Sequence, residues 1–159
     1  MRVGYVWAGS RAHRNDKRRS TALEDWSPVF AVRGVQFVCL QLELIPPQWA
    51  ALQMAGHELP PPAVDWLETA NRILTLDLVI AVDTAVVHLA GALDVPAWVL
   101  LAAAPDYRWG LERDTTPWYG SVRLYRQAIG GDWRVPIARV AEDLAALAYA
   151  RRADVHAAA

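Results

Sequence analysis

Residues 78–101 read LVIAVDTAVVHLAGALDVPAWVLL, and this stretch decides the fold. Residues 78–82 are an apolar run rich in β-branched side chains, and residues 97–101 are a second. Runs of this length and composition suit strands buried on both faces. Between them Asp83 and Thr84 are good N-cap residues, Val86, Leu89, Ala90 and Leu93 recur at helical spacing, and Pro96 blocks continuation. The expected unit is strand, tight turn, helix, strand. In an open parallel sheet such a turn lies at the carboxyl end of a strand, where the free amides and positive dipole end of the next helix face a crevice. An anion fits there.

His88 follows Thr84 by four residues, which puts the two on one helix face about one turn apart. The imidazole can then reach toward whatever Thr84 holds. A structural reading stands beside this one: Asp83 and Thr84 cap a helix, and His88 is a packed histidine bonded to a carbonyl. The residues alone leave both open.

The pattern DTAxxHLAGAL, followed by Pro96 and a strand, resembles the heptosyltransferase-type glycosyltransferases, especially those attached to tetratricopeptide repeats. Further matching pieces are VGYVWAGS at 3–10, Arg19 with Ser20, Leu40 with Gln41, PDYRW at 105–109, PWY at 117–119 and RLYRQ at 123–127. The resemblance covers roughly residues 2–148. The resemblance implies a GT-B architecture of two facing Rossmann-like halves, with the acceptor site and general base on the first half. This chain matches the second, donor-binding half. Metal-independent transfer of a sugar from a nucleotide diphosphate is the implied activity. Ala85 stands where most heptosyltransferases show glycine, as in the repeat-linked subset, which keeps the N–H but narrows the space for the donor.

Outward from the centre, residues 3–7 form an apolar strand that runs into Ala8, Gly9 and Ser10, so a strand-to-loop turn falls almost at the beginning and no domain is expected before it. Residues 10–19 carry Arg11, His13, Arg14, Lys17, Arg18 and Arg19 against one acid, Asp16. Such a loop either faces the crevice at Thr84, supplying cations for phosphate, or is a solvated surface loop. Thr21 and Glu24 have capping-box spacing, Pro28 suits a first helical turn and Gly34 a helix end. Residues 35–40 read as the next strand, with Gln41 at its carboxyl end, placed either to bond a base or ribose, as the resemblance also implies, or simply to form a turn.

Prolines at 46, 47, 60, 61 and 62 break the next segment, and residues 57–64 occupy the place of a strand that three prolines confine to an edge or to extended coil. Asp65 and Glu68 repeat the capping-box spacing ahead of a helical stripe. The resemblance places this helix start near the donor nucleotide and makes Trp66, Glu68 and Thr69 secondary candidates; a structural cap is the other reading. Residues 102–120 are loop-like and dense in Asp106, Tyr107, Arg108, Trp109, Arg113, Trp118 and Tyr119, suited to stacking on a sugar or base or to packing on the domain. A last strand over 121–126 and an amphipathic helix from Pro136 complete the set.

The expected architecture is thus a doubly wound, mostly parallel Rossmann-like sheet of about six strands with helices on both faces, one half of a GT-B arrangement. One nucleotide-sugar-binding domain is expected over residues 1–150, then a frayed Ala-rich tail over 151–159. Sixteen basic against seventeen acidic residues give a formal charge of −1, so nucleic acid and anionic membranes are not the expected partners and any anion site must be local. The lone Cys39 lies in an apolar run and reads as a buried, inert thiol of a reducing compartment. No apolar stretch reaches the roughly 18 to 20 residues of a membrane span, and the amino end lacks a signal pattern, so the expected location is cytoplasmic. The eight tryptophans follow no fixed interval, and no internal repeat is found.

No GxGxxG follows any strand and no Walker loop is present, which leaves dinucleotide and P-loop chemistry without support. Histidines 13, 57, 88 and 156 lack metal-ligand spacing, so no metal and no cofactor is expected, the nucleotide sugar being the donor substrate. A Ser-His-Asp set cannot be argued from chain order, and catalytic residues stay unassigned. The donor-binding candidates are Gly9, Ser10, Lys17, Arg18, Gln41, Asp83, Thr84, Ala85 and His88. Thr84, the amides of Thr84 and Ala85, and His88 would hold the phosphates, Lys17 or Arg18 would neutralise charge, and Asp83 would cap the helix or bond sugar hydroxyls. Three hypotheses follow: the donor-binding half of a glycosyltransferase that works with an acceptor half or repeat domain, a stand-alone nucleotide-sugar-binding or regulatory module, and a decayed domain kept only as a folded unit.

Overall fold

The computed structural model describes residues 1–157, with side chains through Ala153. Five strands, β1 (Arg2–Val6), β2 (Gln36–Cys39), β3 (Leu78–Val82), β4 (Ala97–Leu101) and β5 (Val122–Arg126), pair in the order β2-β1-β3-β4-β5. Every pairing is parallel, with Val3 opposite both Phe37 and Leu78, and Leu100 opposite both Val82 and Tyr125. The order reverses direction between β1 and β3. In an open α/β sheet that reversal leaves a crevice at the carboxyl ends of the two strands.

Side-chain alternation splits each strand between two cores. On one face Val3, Tyr5, Ile80, Leu100 and Tyr125 meet Trp26, Val29 of α2 (Ser27–Phe30) and Ile137, Val140 and Leu144 of α6 (Arg134–Ala157). On the other Val6, Val79, Ala81, Val99 and Leu124 meet Ile73 of α4 (Trp66–Ile73) and Val87 and Ala90 of α5 (Ala85–Ala92). Helices therefore cover both faces, and β3, buried at all five positions, is the uninterrupted apolar run of the sequence. Two further helices, α1 (Asp16–Arg19) and α3 (Pro46–Met54), lie in the connections after β1 and β2.

Three local outcomes differ from expectation. The segment 57–64 contributes one bridge, Glu58 to Val38, before its prolines remove the next donors, so the strands number five where six were expected. Thr21 is not a helix cap: its hydroxyl donates to the Trp7 carbonyl at 2.8 Å and accepts from the Trp26 indole at 2.8 Å, tying the end of β1 to the core. The Ala-rich segment from Arg151, expected to fray, continues α6 through Ala157. Alanine has high helix propensity, Arg151 pairs with Asp77, and Arg152 bonds the Arg33 carbonyl at 3.0 Å. The end of that tail, residues 158 and 159, lies outside the described residues. Among the described residues no helix is long and apolar enough to cross a membrane.

Candidate functional site

At the carboxyl ends of β1, β2 and β3 the chain encloses a cleft of about 920 Å³. One end is formed by Gly9, Ser10, Arg19, Thr84, Ala85 and Val86, and the other by residues 60–66 with Trp49, Thr69 and Arg72; Gln41 lies on the wall. The first end is built around the start of α5. Thr84 holds the N-cap position in an extended conformation, but its hydroxyl makes no capping bond, and Thr84 Oγ1 is enclosed without a hydrogen-bond partner. The Ala85 and Val86 amides, in the first helical turn, have no intrahelical carbonyl to bond. An unpaired hydroxyl, open amides and the positive end of a helix thus converge on one spot.

Arg19 supplies the charge there. The single turn of α1 points its guanidinium across Gly9, where a Cβ would sit 2.7 Å from Nη2, so glycine is what lets the arginine approach. Arg19 Nη1 donates to the Asp83 carbonyl at 2.9 Å, and Nε lies 4.0 Å from Asp16 Oδ1. Among the described residues Nη2 has no hydrogen-bond acceptor. Asp16 in turn accepts from the Ser20 hydroxyl at 2.6 Å, and Ser20 Oγ accepts the Gly9 amide at 2.9 Å. The Asp83 carbonyl thus holds the guanidinium, whose Nε is buried without a hydrogen-bond partner, while Ser20 consumes the Gly9 N–H, which cannot then serve an anion.

Lys17 and Arg18 lie elsewhere. Successive residues of one helical turn diverge by about 100°, and these two line a separate depression of about 470 Å³ with Gln127 and Trp133. The residue of the basic run that reaches the cleft is therefore Arg19, which the sequence presents only as one of five arginines and lysines in that run; its pairing with Ser20 was the available signal. Ser10 is at the cleft but exposed. Gln41 gives its Oε1 to the Ala8 amide at 3.1 Å, which leaves its Nε2 as a donor toward a ligand. Trp66 and Thr69 line the far end, whereas Glu68 is occupied by the Val64 amide and an ion pair with Arg72. Arg72 and Trp49 are wall residues that no sequence motif indicated.

Asp83 and His88 sit on the opposite flank of the α5 start. His88 Nδ1 bonds the Tyr119 hydroxyl at 3.1 Å, its ring stacks on Trp109 at 5.0 Å, and Nε2 lies 4.0 Å from Asp83 Oδ1. Burial holds the imidazole below the usual histidine range, opposed by the Asp83 carboxylate. The ring does not line the cleft. Asp83 is not the cap residue either; Thr84 is. The motif is divided between two flanks because residues 102–120 fold over α5 and capture His88, with Tyr119 lying on Gly91, where a Cβ would be 2.5 Å from its ring.

No family model matches the chain. Protein FlbA of Caulobacter vibrioides is 32% identical over 149 residues, which is 90% of this chain and 25% of FlbA. Among solved structures, E. coli heptosyltransferase WaaC with ADP-2-deoxy-2-fluoro heptose superposes with a TM-score of 0.61 at 14% identity, over 89% of this chain and 42% of WaaC. WaaC with ADP gives 0.62 at 16% identity over 89% and 43%. At these identities the likeness establishes the fold alone, a Rossmann-like α/β unit matching one half of the GT-B arrangement. The chain spans a quarter of FlbA and less than half of WaaC.

Proposed function

We propose that this chain is the donor-binding half of a glycosyltransferase, holding a nucleotide-diphosphate sugar by its pyrophosphate at the start of α5. The observation that carries the reading is the enclosed, unpaired Thr84 hydroxyl beside the open amides of Ala85 and Val86 and the free edge of Arg19. A buried hydroxyl without a partner costs about 1–3 kcal/mol, and a phosphate oxygen removes that cost. The nucleoside lies toward Gln41 and residues 60–66, where prolines and two tryptophans offer flat apolar walls. As the sugar–phosphate bond breaks, negative charge grows on the departing diphosphate. Amides, the Thr84 hydroxyl and the Arg19 guanidinium stabilise it in place, without reorganisation. No other cofactor enters the reading.

The acceptor site and the general base belong to a facing half or a repeat domain outside this chain, in keeping with the repeat-linked subset and with the small share of FlbA that is matched. The protein works in the cytoplasm, where a lone buried thiol such as Cys39 stays reduced. The alternative reading is a nucleotide-sugar-binding module without transferase activity, which would use the same α5 end of the cleft. Calorimetric titration with UDP, ADP and GDP tests both, since each requires a diphosphate to bind in the micromolar range or tighter. No heat of binding with any of the three would overturn them together; sugar transfer on adding the facing half separates the first from the second.

A further inference from the structure

We infer that Arg72 and Glu68 of α4 are a positioning pair that fixes the segment 60–64 as the nucleoside wall of the cleft, so that this end takes the uncharged base and ribose and leaves the phosphates to α5; this rests on the donor-binding reading above. The sequence sets the problem that the pair solves. Pro60, Pro61 and Pro62 have no N–H to donate, and residues 60–64 make no backbone–backbone hydrogen bond among the described residues. None of residues 60–66 is buried, and Val64 is 88% exposed, so packing does not hold the segment either. Yet it lines the cleft.

Two side chains one helical turn apart supply the missing bonds. Arg72 Nη1 donates to the Pro61 carbonyl at 2.5 Å, Nη2 pairs with Glu68 Oε1, and Glu68 Oε2 accepts the Val64 amide at 2.9 Å. A spacing of four puts both side chains on one face of α4. Glu68 is itself placed by the helix start, where Asp65 Oδ1 accepts its amide at 2.8 Å, and Ile73, next to Arg72, is fully buried and anchors α4 to the sheet. One connected pair thus grips the segment at Pro61 and at Val64. The Val64 amide, and after it Arg72, hold the Glu68 carboxyl below the usual carboxylate range.

The pair also decides which end of the cleft is the anionic one. Two arginines line the cleft. Arg19 stands beside the open amides of α5, and the carboxylate paired with it, Asp16, is 4.0 Å from its Nε. Arg72 is in direct contact with Glu68 and has both terminal nitrogens engaged. The other charged residues of the lining, Glu43 and Asp65, are acidic, so no second cation competes with Arg19 for phosphate. Holding the wall in place before a ligand arrives removes the ordering cost that a loose, proline-rich coil would add to binding.

The test is two double-mutant cycles, read as dissociation constants for whichever of UDP, ADP and GDP the wild type binds. Arg72→Met should weaken binding at least fivefold and Glu68→Ala at least threefold. Because the two act as one clamp, the variant carrying both changes should bind no more than twofold more weakly than Arg72→Met alone. Arg72→Met and Arg19→Ala act at opposite ends, so their fold-changes should multiply to within twofold. Arg72→Lys, whose single ammonium can serve Pro61 or Glu68 but lacks the planar fork that serves both, should fall between wild type and Arg72→Met. A smaller effect of Arg72→Met, or effects of the Arg72 and Glu68 changes that multiply, would overturn the positioning role and leave the diphosphate site standing. So would strong coupling between Arg72 and Arg19, which would mark a shared phosphate. Failure of all three diphosphates in wild type would remove both. Far-UV circular dichroism checks that the chain stays folded, and if Arg72→Met loses that signal, Arg72→Lys with Glu68→Gln carries the same cycle.

Discussion

The two flanks of the α5 amino end are made from neighbouring residues of one motif, yet they differ in what those residues face: one lines the cleft and the other is covered by the loop 102–120. On the cleft flank Thr84 Oγ1 has no partner, Arg19 presents a free edge and Ala85 is exposed. On the other, His88 has Tyr119 on Nδ1, Trp109 against its ring and Asp83 beyond Nε2. In the function proposed above the first flank receives the pyrophosphate, whereas the second holds the loop 102–120 against α5. Trp109 Nε1 on the second flank is also buried without a partner, so what separates the two is position: Thr84 and Arg19 line the cleft, and Trp109 and His88 do not.

Substitutions should therefore divide cleanly between stability and affinity. The largest effect is expected for Trp109→Ala, which empties a fully buried indole site and should lower unfolding free energy by about 3–5 kcal/mol in denaturant titration, with UDP, ADP or GDP affinity of the folded protein kept within twofold. A comparable loss of affinity would erase the division. Arg19→Ala comes next: nucleotide diphosphate binding should weaken by about 1.5–3 kcal/mol, the scale of a hydrogen bond to a charged group, with partial recovery in Arg19→Lys. Thr84→Val sharpens the comparison most, because affinity should fall by about 1–3 kcal/mol while stability stays the same or rises, the valine methyl replacing a hydroxyl that has nothing to bond. If calorimetry finds the dissociation constant unchanged, Thr84 is not in the site. Tyr119→Phe removes a single bond to His88 and should cost about 1 kcal/mol of stability and no diphosphate affinity.

The smallest effect is on pH dependence. His57, bonded by Nδ1 to Tyr5 OH at 2.8 Å, and His88 are both held below the usual histidine range by burial. The unfolded chain takes up protons on them near pH 6.5, before the folded chain does, so their contribution is complete above that pH and is lost as pH falls. Midpoints of urea unfolding should decrease from pH 7.5 to 5.5, and the decrease should shrink in His88→Asn. The depressed carboxyls of Asp77 and Asp106 act in the acid range below this window. A flat profile would show that neither imidazole is held neutral by the fold.

The β3-α5-β4 unit was legible because its chemistry is local: two buried runs, a capping residue and a proline confine 24 residues to one arrangement. The strand over 57–64 was not, because whether an extended, proline-rich segment joins a sheet depends on how many donors the neighbouring edge finds. Of the nine donor-binding candidates, Gly9, Ser10, Gln41, Thr84 and Ala85 gather at the cleft. Lys17, Arg18, Asp83 and His88 face elsewhere. Thr84 and His88 do share a helix face by spacing, but spacing does not reveal that a loop 31 residues downstream will occupy one end of it.

By itself the sequence determined the strand and helix types, the parallel sheet and the presence of an open helix start after β3, since these follow from periodicity and capping within short windows. Only the tertiary structure decided which cation of the run 10–19 enters the cleft, that Gly9 spends its amide on Ser20, and which flank His88 serves. Those outcomes depend on contacts between segments tens of residues apart, where a rotation of one residue about a helix axis, about 100°, moves a side chain from one pocket to another.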